Sequence, residues 1–91
     1  DAVELSRRVA DESIVLLKNE NTLLPLNLNK IKSLAVIGPN ANQVQFGDYT
    51  WSRSNKDGVT PLEGLKKRVG NKIKINYVIL LQIINPDLMK L

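Results

Sequence analysis

Apolar positions along the chain change their period several times, and each change marks a boundary between elements. Ala2, Leu5 and Val9 recur at spacings of three and four, with Glu4, Arg7, Arg8, Asp11 and Glu12 mostly on the opposite side. That pattern predicts an amphipathic helix over about 2–12. Ser13-Ile14-Val15-Leu16-Leu17 then breaks the period with a continuous apolar run, which predicts a buried strand over about 13–18, a continued helix being the alternative. Lys18-Asn19-Glu20-Asn21 supplies turn residues, and Pro25 keeps Leu23-Leu24-Pro25-Leu26 out of a central strand, so a tight irregular connection is expected.

The linker 27–32 is polar apart from Leu28 and Ile31. Ser33-Leu34-Ala35-Val36-Ile37 then runs into Gly38-Pro39-Asn40, the pattern of a buried parallel strand over about 33–38 ending in a turn. No period holds from Ala41 to Gly58, a segment rich in Asn, Ser, Gly and Asp that reads as a long loop. Thr60, Pro61 and Glu63 give the clearest local signal: an N-cap, a proline at the first helical position and a capping box. The helix they open should cover about 61–69, turn Leu62, Leu65 and Val69 toward a core, and stop at Gly70 in a left-handed C-terminal cap. Lys72-Ile73-Lys74-Ile75-Asn76-Tyr77 alternates polar and apolar, predicting a strand over about 72–78 with one solvated face or at an edge. Strands separated by a capped helix imply a right-handed crossover, so the fold class is α/β, an incomplete layered sandwich with a mostly parallel sheet.

Composition alters this picture little. A length of 91 residues allows one small core, and hydrophobic and charged shares of 43% and 24% are those of a globular chain. Lys and Arg outnumber Asp and Glu by 13 to 9, but the basic residues are scattered. The one cluster, Lys66-Lys67-Arg68, falls where a helix C-terminus favours cations, so no nucleic-acid partner is implied. With no Cys and no His, disulfides, thiolate sites and the common zinc ligands are excluded. The apolar run 78–84 is too short to span a bilayer, and no membrane partner is expected. Asp1-Ala2-Val3-Glu4 has neither a Met start nor the regions of a signal peptide and reads as a start within a longer protein. Gly38-Pro39-Asn40 is no phosphate loop, because no glycine fingerprint is present and proline removes one amide.

Four ordered blocks then carry a family resemblance: Ser13-Ile14-Val15-Leu16-Leu17-Lys18-Asn19-Glu20 with Leu23-Leu24-Pro25-Leu26; Ala35-Val36-Ile37-Gly38-Pro39-Asn40-Ala41; Gly47-Asp48-Tyr49-Thr50; and Val59-Thr60-Pro61-Leu62-Glu63-Gly64. In order and spacing they resemble the second, (α/β) sandwich domain of glycoside hydrolase family 3, of β-glucosidase or β-xylosidase type. The resemblance covers about Val3 to Tyr77. It implies a domain that packs against a preceding TIM-type barrel and helps close its active site on a carbohydrate substrate, the enzyme cleaving terminal β-linked glucose or xylose. No cofactor and no metal is implied.

Retaining glycosidases need two carboxyl groups about 5 Å apart, as nucleophile and acid/base. The family draws its aspartate from the barrel and its glutamate from beyond the stretch matched here. The resemblance therefore assigns no catalytic residue to this chain, which alone should be inactive. Candidate substrate-binding residues are Asp48, Tyr49 and Trp51, with Arg53 nearby, in the loop at the C-terminal end of a parallel strand where α/β sheets place their crevices. An aromatic face can stack on a sugar ring, and in the family an aromatic near this position lines the leaving-group side of the pocket. Tyr49 is the better match by motif position and Trp51 the alternative; either ring could instead pin the loop by packing. Lys18 and Asn19 are read as turn chemistry. A second reading is a stand-alone carbohydrate-binding or protein-interaction module.

After Tyr77 the resemblance is expected to fail, with 78–91 a non-matching tail produced by truncation or a frameshift. Its apolar run is a predicted aggregation liability.

Overall fold

A computed structural model of the chain describes residues 1–52, 54–79 and 87. Its regular elements are helix α1 (Ala2–Ser13), strand β1 (Ser33–Ile37), helix α2 (Pro61–Val69) and strand β2 (Lys74–Val78), with 3-10 turns at Glu20–Thr22 and Asn55–Asp57. Two helices and a parallel two-stranded sheet make a partial α/β sandwich, as the alternation of periods predicts.

α2 forms where the local chemistry demands it. The Thr60 Oγ1 accepts the Glu63 N–H at 3.1 Å, and the Glu63 carboxylate accepts the Thr60 N–H at 2.9 Å, so both halves of the capping box are made. Lys66, Lys67 and Arg68 occupy its last turn. Gly70 ends it at φ 59°, a positive value that favours glycine, although ψ of −136° departs from the left-handed helical cap expected there. Its N–H still donates to the Lys66 carbonyl at 2.9 Å.

β1 and β2 pair in parallel with Ser33 opposite Lys74 and Ile37 opposite Val78. Gly38 N–H to Val78 O (3.1 Å) and Lys74 N–H to Lys32 O (3.0 Å) extend the ladder at its ends. Leu34, Val36, Ile75 and Tyr77 are half-buried while Ser33, Ala35, Lys74 and Asn76 are exposed. β1 is therefore covered on one face only, not buried on both as its continuous apolar run suggests. The core lies under α2: Leu62, Val69 and Ile73 are 4%, 6% and 5% exposed. Leu28 and Ile31, the apolar residues of the linker, meet Leu34, Leu65, Val69 and Ile73 around an apolar cavity of about 190 Å³.

The expected strand at 13–18 is corrected. α1 ends at Ser13 and the backbone turns extended at Ile14 (φ −75°, ψ 125°), but residues 14–19 join no ladder, and Ile14, Val15, Leu16 and Leu17 are exposed. A strand requires a neighbour to take its N–H and C=O groups, and none stands beside this segment among the described residues. α1 likewise buries nothing; its N-cap Asp1 accepts the Glu4 N–H at 2.8 Å, and Arg7–Asp11 and Arg8–Glu12 form exposed ion pairs.

The connection at 19–26 is irregular, as its proline requires. Asn19 holds it at two points: its Nδ2 donates to the Leu24 carbonyl at 2.8 Å, and its Oδ1 accepts the Leu24 N–H at 2.9 Å. Between them Asn21 and Thr22 take positive φ values of 55° and 53°, a conformation that a β-branched residue rarely adopts. Asn19 thus does the work of a paired backbone, and Lys18 pairs with Glu20 at 3.0 Å.

Candidate functional site

The loop between β1 and α2 starts at the C-terminal end of a parallel strand. Gly38 takes φ 127°, open only to glycine, and turns the chain out of the sheet. The loop is then tied to the start of α2. The Ala41 carbonyl accepts the Leu62 N–H at 2.9 Å, and the Thr60 hydroxyl donates to Asn42 Oδ1 at 3.0 Å. Thr60, the one buried polar residue among those described, thereby donates to the loop and accepts from the helix. Farther out, Val44 and Phe46 lie against Gly58. Near the tip the Ser52 hydroxyl lies 2.6 Å from the Asp57 carboxylate and 2.9 Å from the Ser54 carbonyl.

These ties leave a cleft of about 750 Å³. Asn42, Gln43, Gln45, Asp48, Thr50, Ser52 and Thr60 supply its polar lining, and Val44 and Phe46 its apolar part. Carbonyl, carboxylate and hydroxyl oxygens with amide donors are a lining suited to a neutral, hydroxyl-rich ligand. Of the three predicted site residues, only Asp48 lines the cleft. Tyr49 and Trp51 alternate with Asp48, Thr50 and Ser52 and stand fully exposed outside it. Neither ring pins the loop by packing. Arg53 lies outside the described residues.

Sequence reasoning missed Asn42, Thr50, Ser52 and Gly58. The alternation of polar and aromatic residues in Asp48-Tyr49-Thr50-Trp51-Ser52 was a readable sign that the two sets face different ways. Asn42 and Gly58 gave no such sign, because their partners lie 18 and more than 10 positions away.

Six of the other carboxylates have evident structural settings: Asp1 caps α1, Asp11, Glu12 and Glu20 are ion-paired, Asp57 meets Ser52, and Glu63 completes the capping box. Among the described residues no three of Asp, Glu, His or Cys group to hold a metal ion, and no helix is long and apolar enough to cross a membrane.

An α/β sheet fragment with a polar cleft beyond its strand end is a common setting for ligand binding, and the chain's likeness to known proteins makes the class specific. The glycosyl hydrolase family 3 C-terminal domain matches residues 14–86, and the chain belongs to this family. The match begins just after α1 and runs nine residues past Tyr77. The chain is similar to a Beta-xylosidase of Formosa agariphila, 48% identical over 80 residues that cover 81% of the chain and 11% of the relative. It is 42% identical to Probable beta-glucosidase K of Emericella nidulans, over 80% of the chain and 9% of that protein. A Beta-xylosidase/alpha-L-arabinofuranosidase 1 of Medicago sativa subsp. varia is 48% identical over 68% of the chain and 8% of its own length. The chain thus spans about a tenth of the length of the curated relatives it matches. No solved structure matches it.

Proposed function

We propose that this chain is the part of a family 3 β-glycosidase that contributes one wall of the sugar site, in an enzyme that hydrolyses terminal β-linked glucose or xylose. The observation that carries this reading is the pair of fully exposed rings, Tyr49 and Trp51, on a loop whose base is tied to β1 and α2. Large aromatic surfaces left in water on an anchored loop mark a binding face, and a sugar's C–H face is their natural partner. Asp48 and the hydroxyls beside it would accept and donate to sugar hydroxyls from the cleft side.

The chain alone is proposed to bind without cleaving. Retention of configuration needs two carboxyl groups about 5 Å apart, and only Asp48 lines the cleft. Hydrolysis would draw its nucleophile and acid/base from other parts of the enzyme. The purified chain should release no nitrophenol from aryl β-glucoside or β-xyloside above the blank. Turnover that disappears in Asp48→Ala or Tyr49→Ala would overturn this reading and make the chain an enzyme in its own right.

A further inference from the structure

Gly58 differs from the other glycines of the chain. Gly38, Gly47 and Gly70 have positive φ and open space where a side chain would stand, so backbone conformation explains them. Gly64, within α2, would place a Cβ at an ordinary 4.0 Å from Val59 Cγ1. A Cβ on Gly58 would overlap Val44 Cγ1 and stand 2.8 Å from Phe46 Cζ and 3.0 Å from Val44 Cγ2. Gly58 is therefore required for close approach, not for an unusual dihedral.

The neighbours cannot all yield cheaply. Phe46 presents the far end of its ring and can swing. Val44 is β-branched and stiff at χ1, and with both its methyls at 3.0 Å or less from the added Cβ every χ1 rotamer leaves at least one methyl against it. Relief would have to come from the backbone around 44–46, which lies between the Asn42–Thr60 tie and the segment bearing Tyr49 and Trp51.

We infer that Gly58 is a positioning residue: its bare Cα is the seat on which Val44 and Phe46 close the loop, and through them it sets where Tyr49 and Trp51 stand. The consequence for sugar binding rests on the sugar-site reading above; the seating itself does not. Val44 and Phe46 also form the apolar part of the cleft lining, so displacing them alters the cleft and the aromatic face together.

Trp51 is the only tryptophan in the chain, so its indole N–H resonance and fluorescence report this loop without ambiguity. The test compares the unaltered chain with Gly58→Ala, Gly58→Ala combined with Val44→Ala, and Gly64→Ala, each titrated with xylobiose and with cellobiose. Gly58→Ala should move the Trp51 indole and Tyr49 amide resonances before sugar is added and leave those of α2, β1 and β2 in place. It should weaken disaccharide binding about tenfold, a change of about 1.4 kcal/mol. Removing the Val44 methyls should restore the resonances, a rescue that general loss of stability would not show; the rescue is read in the sugar-free spectra because Val44 itself lines the cleft. Gly64→Ala should change neither resonances nor affinity. Unmoved loop resonances in Gly58→Ala, or shifted resonances that Val44→Ala does not return, would overturn the inference. A disaccharide that leaves Trp51 of the unaltered chain unperturbed would instead overturn the sugar-site reading, while the sugar-free spectra still decide the seating of Gly58.

Discussion

The two halves of this chain put their apolar residues to different ends. From Ser33 to Val78, two strands, a capped helix and a tied loop surround Leu62, Val69 and Ile73. From Ala2 to Leu26, α1 and the extended run after it bury no residue, and Leu17 is 92% exposed. Yet the first half holds the most recognisable motif, the Ile14–Glu20 run with its Leu-Leu-Pro-Leu. A motif can thus be conspicuous in a segment that contributes little packing of its own, because its apolar side chains suit a neighbour and not themselves. The second half shows the converse: its composition is ordinary, but the Thr60–Asn42 and Leu62–Ala41 hydrogen bonds tie its loop to the helix that covers the core.

The sharpest way to break this comparison is to truncate one leucine in each half. Leu62→Ala should cost about 2–5 kcal/mol, enough to abolish a cooperative melt in a core of three buried residues. Leu17→Ala should change stability by less than about 0.5 kcal/mol. Thermal melts followed by far-UV circular dichroism would read both, and equal losses would show that the halves stabilise each other.

A smaller effect is expected at the joint between loop and helix. Thr60→Ala removes the N-cap acceptor and the donor to Asn42, and should cost about 1–2 kcal/mol, while Thr60→Ser retains both bonds and most of the stability. Chemical denaturation of the two variants separates hydroxyl from methyl. A serine variant as weak as the alanine one would assign the role to packing.

The smallest effect lies in the first half. Asn19→Ala loses both bonds to Leu24 and should raise hydrogen exchange at the Leu24 amide by about fivefold, as the loss of roughly 1 kcal/mol of local protection would. The melting temperature should hardly move, since the core lies elsewhere. A global drop would mean that the connection at 19–26 supports the second half.

How legible each element was followed the range of the interactions that make it. α2 was readable to the residue because its capping box, its proline and its terminal glycine act within a few positions of one another. β1 and β2 were readable to within two residues, since alternation and the Gly-Pro turn are local too. The run at 14–17 has every local mark of a strand, but strands are pairwise objects, and no neighbour stands beside it among the described residues. The loop's position was legible from the strand end before it, and Asp48, Tyr49 and Trp51 from their chemistry. Which of them face the cleft depends on the closure of the loop upon Gly58 and Thr60. That closure is a long-range fact carried by a missing side chain and a single hydroxyl.

The parallel pairing of β1 with β2 bears on how the protein is made. Lys74 follows its partner Ser33 by 41 positions, so β2 cannot pair with β1 until α2 and the start of β2 have left the ribosome. At synthesis rates of roughly 5–20 residues per second that interval is about 2–8 s. Throughout it the Leu34–Ile37 edge lacks its β2 partner, with the apolar run at 14–17 already synthesised. The nascent chain is therefore most open to mispairing between the synthesis of β1 and that of β2, and slow codons within that interval would prolong the exposure whereas slow codons after β2 would not.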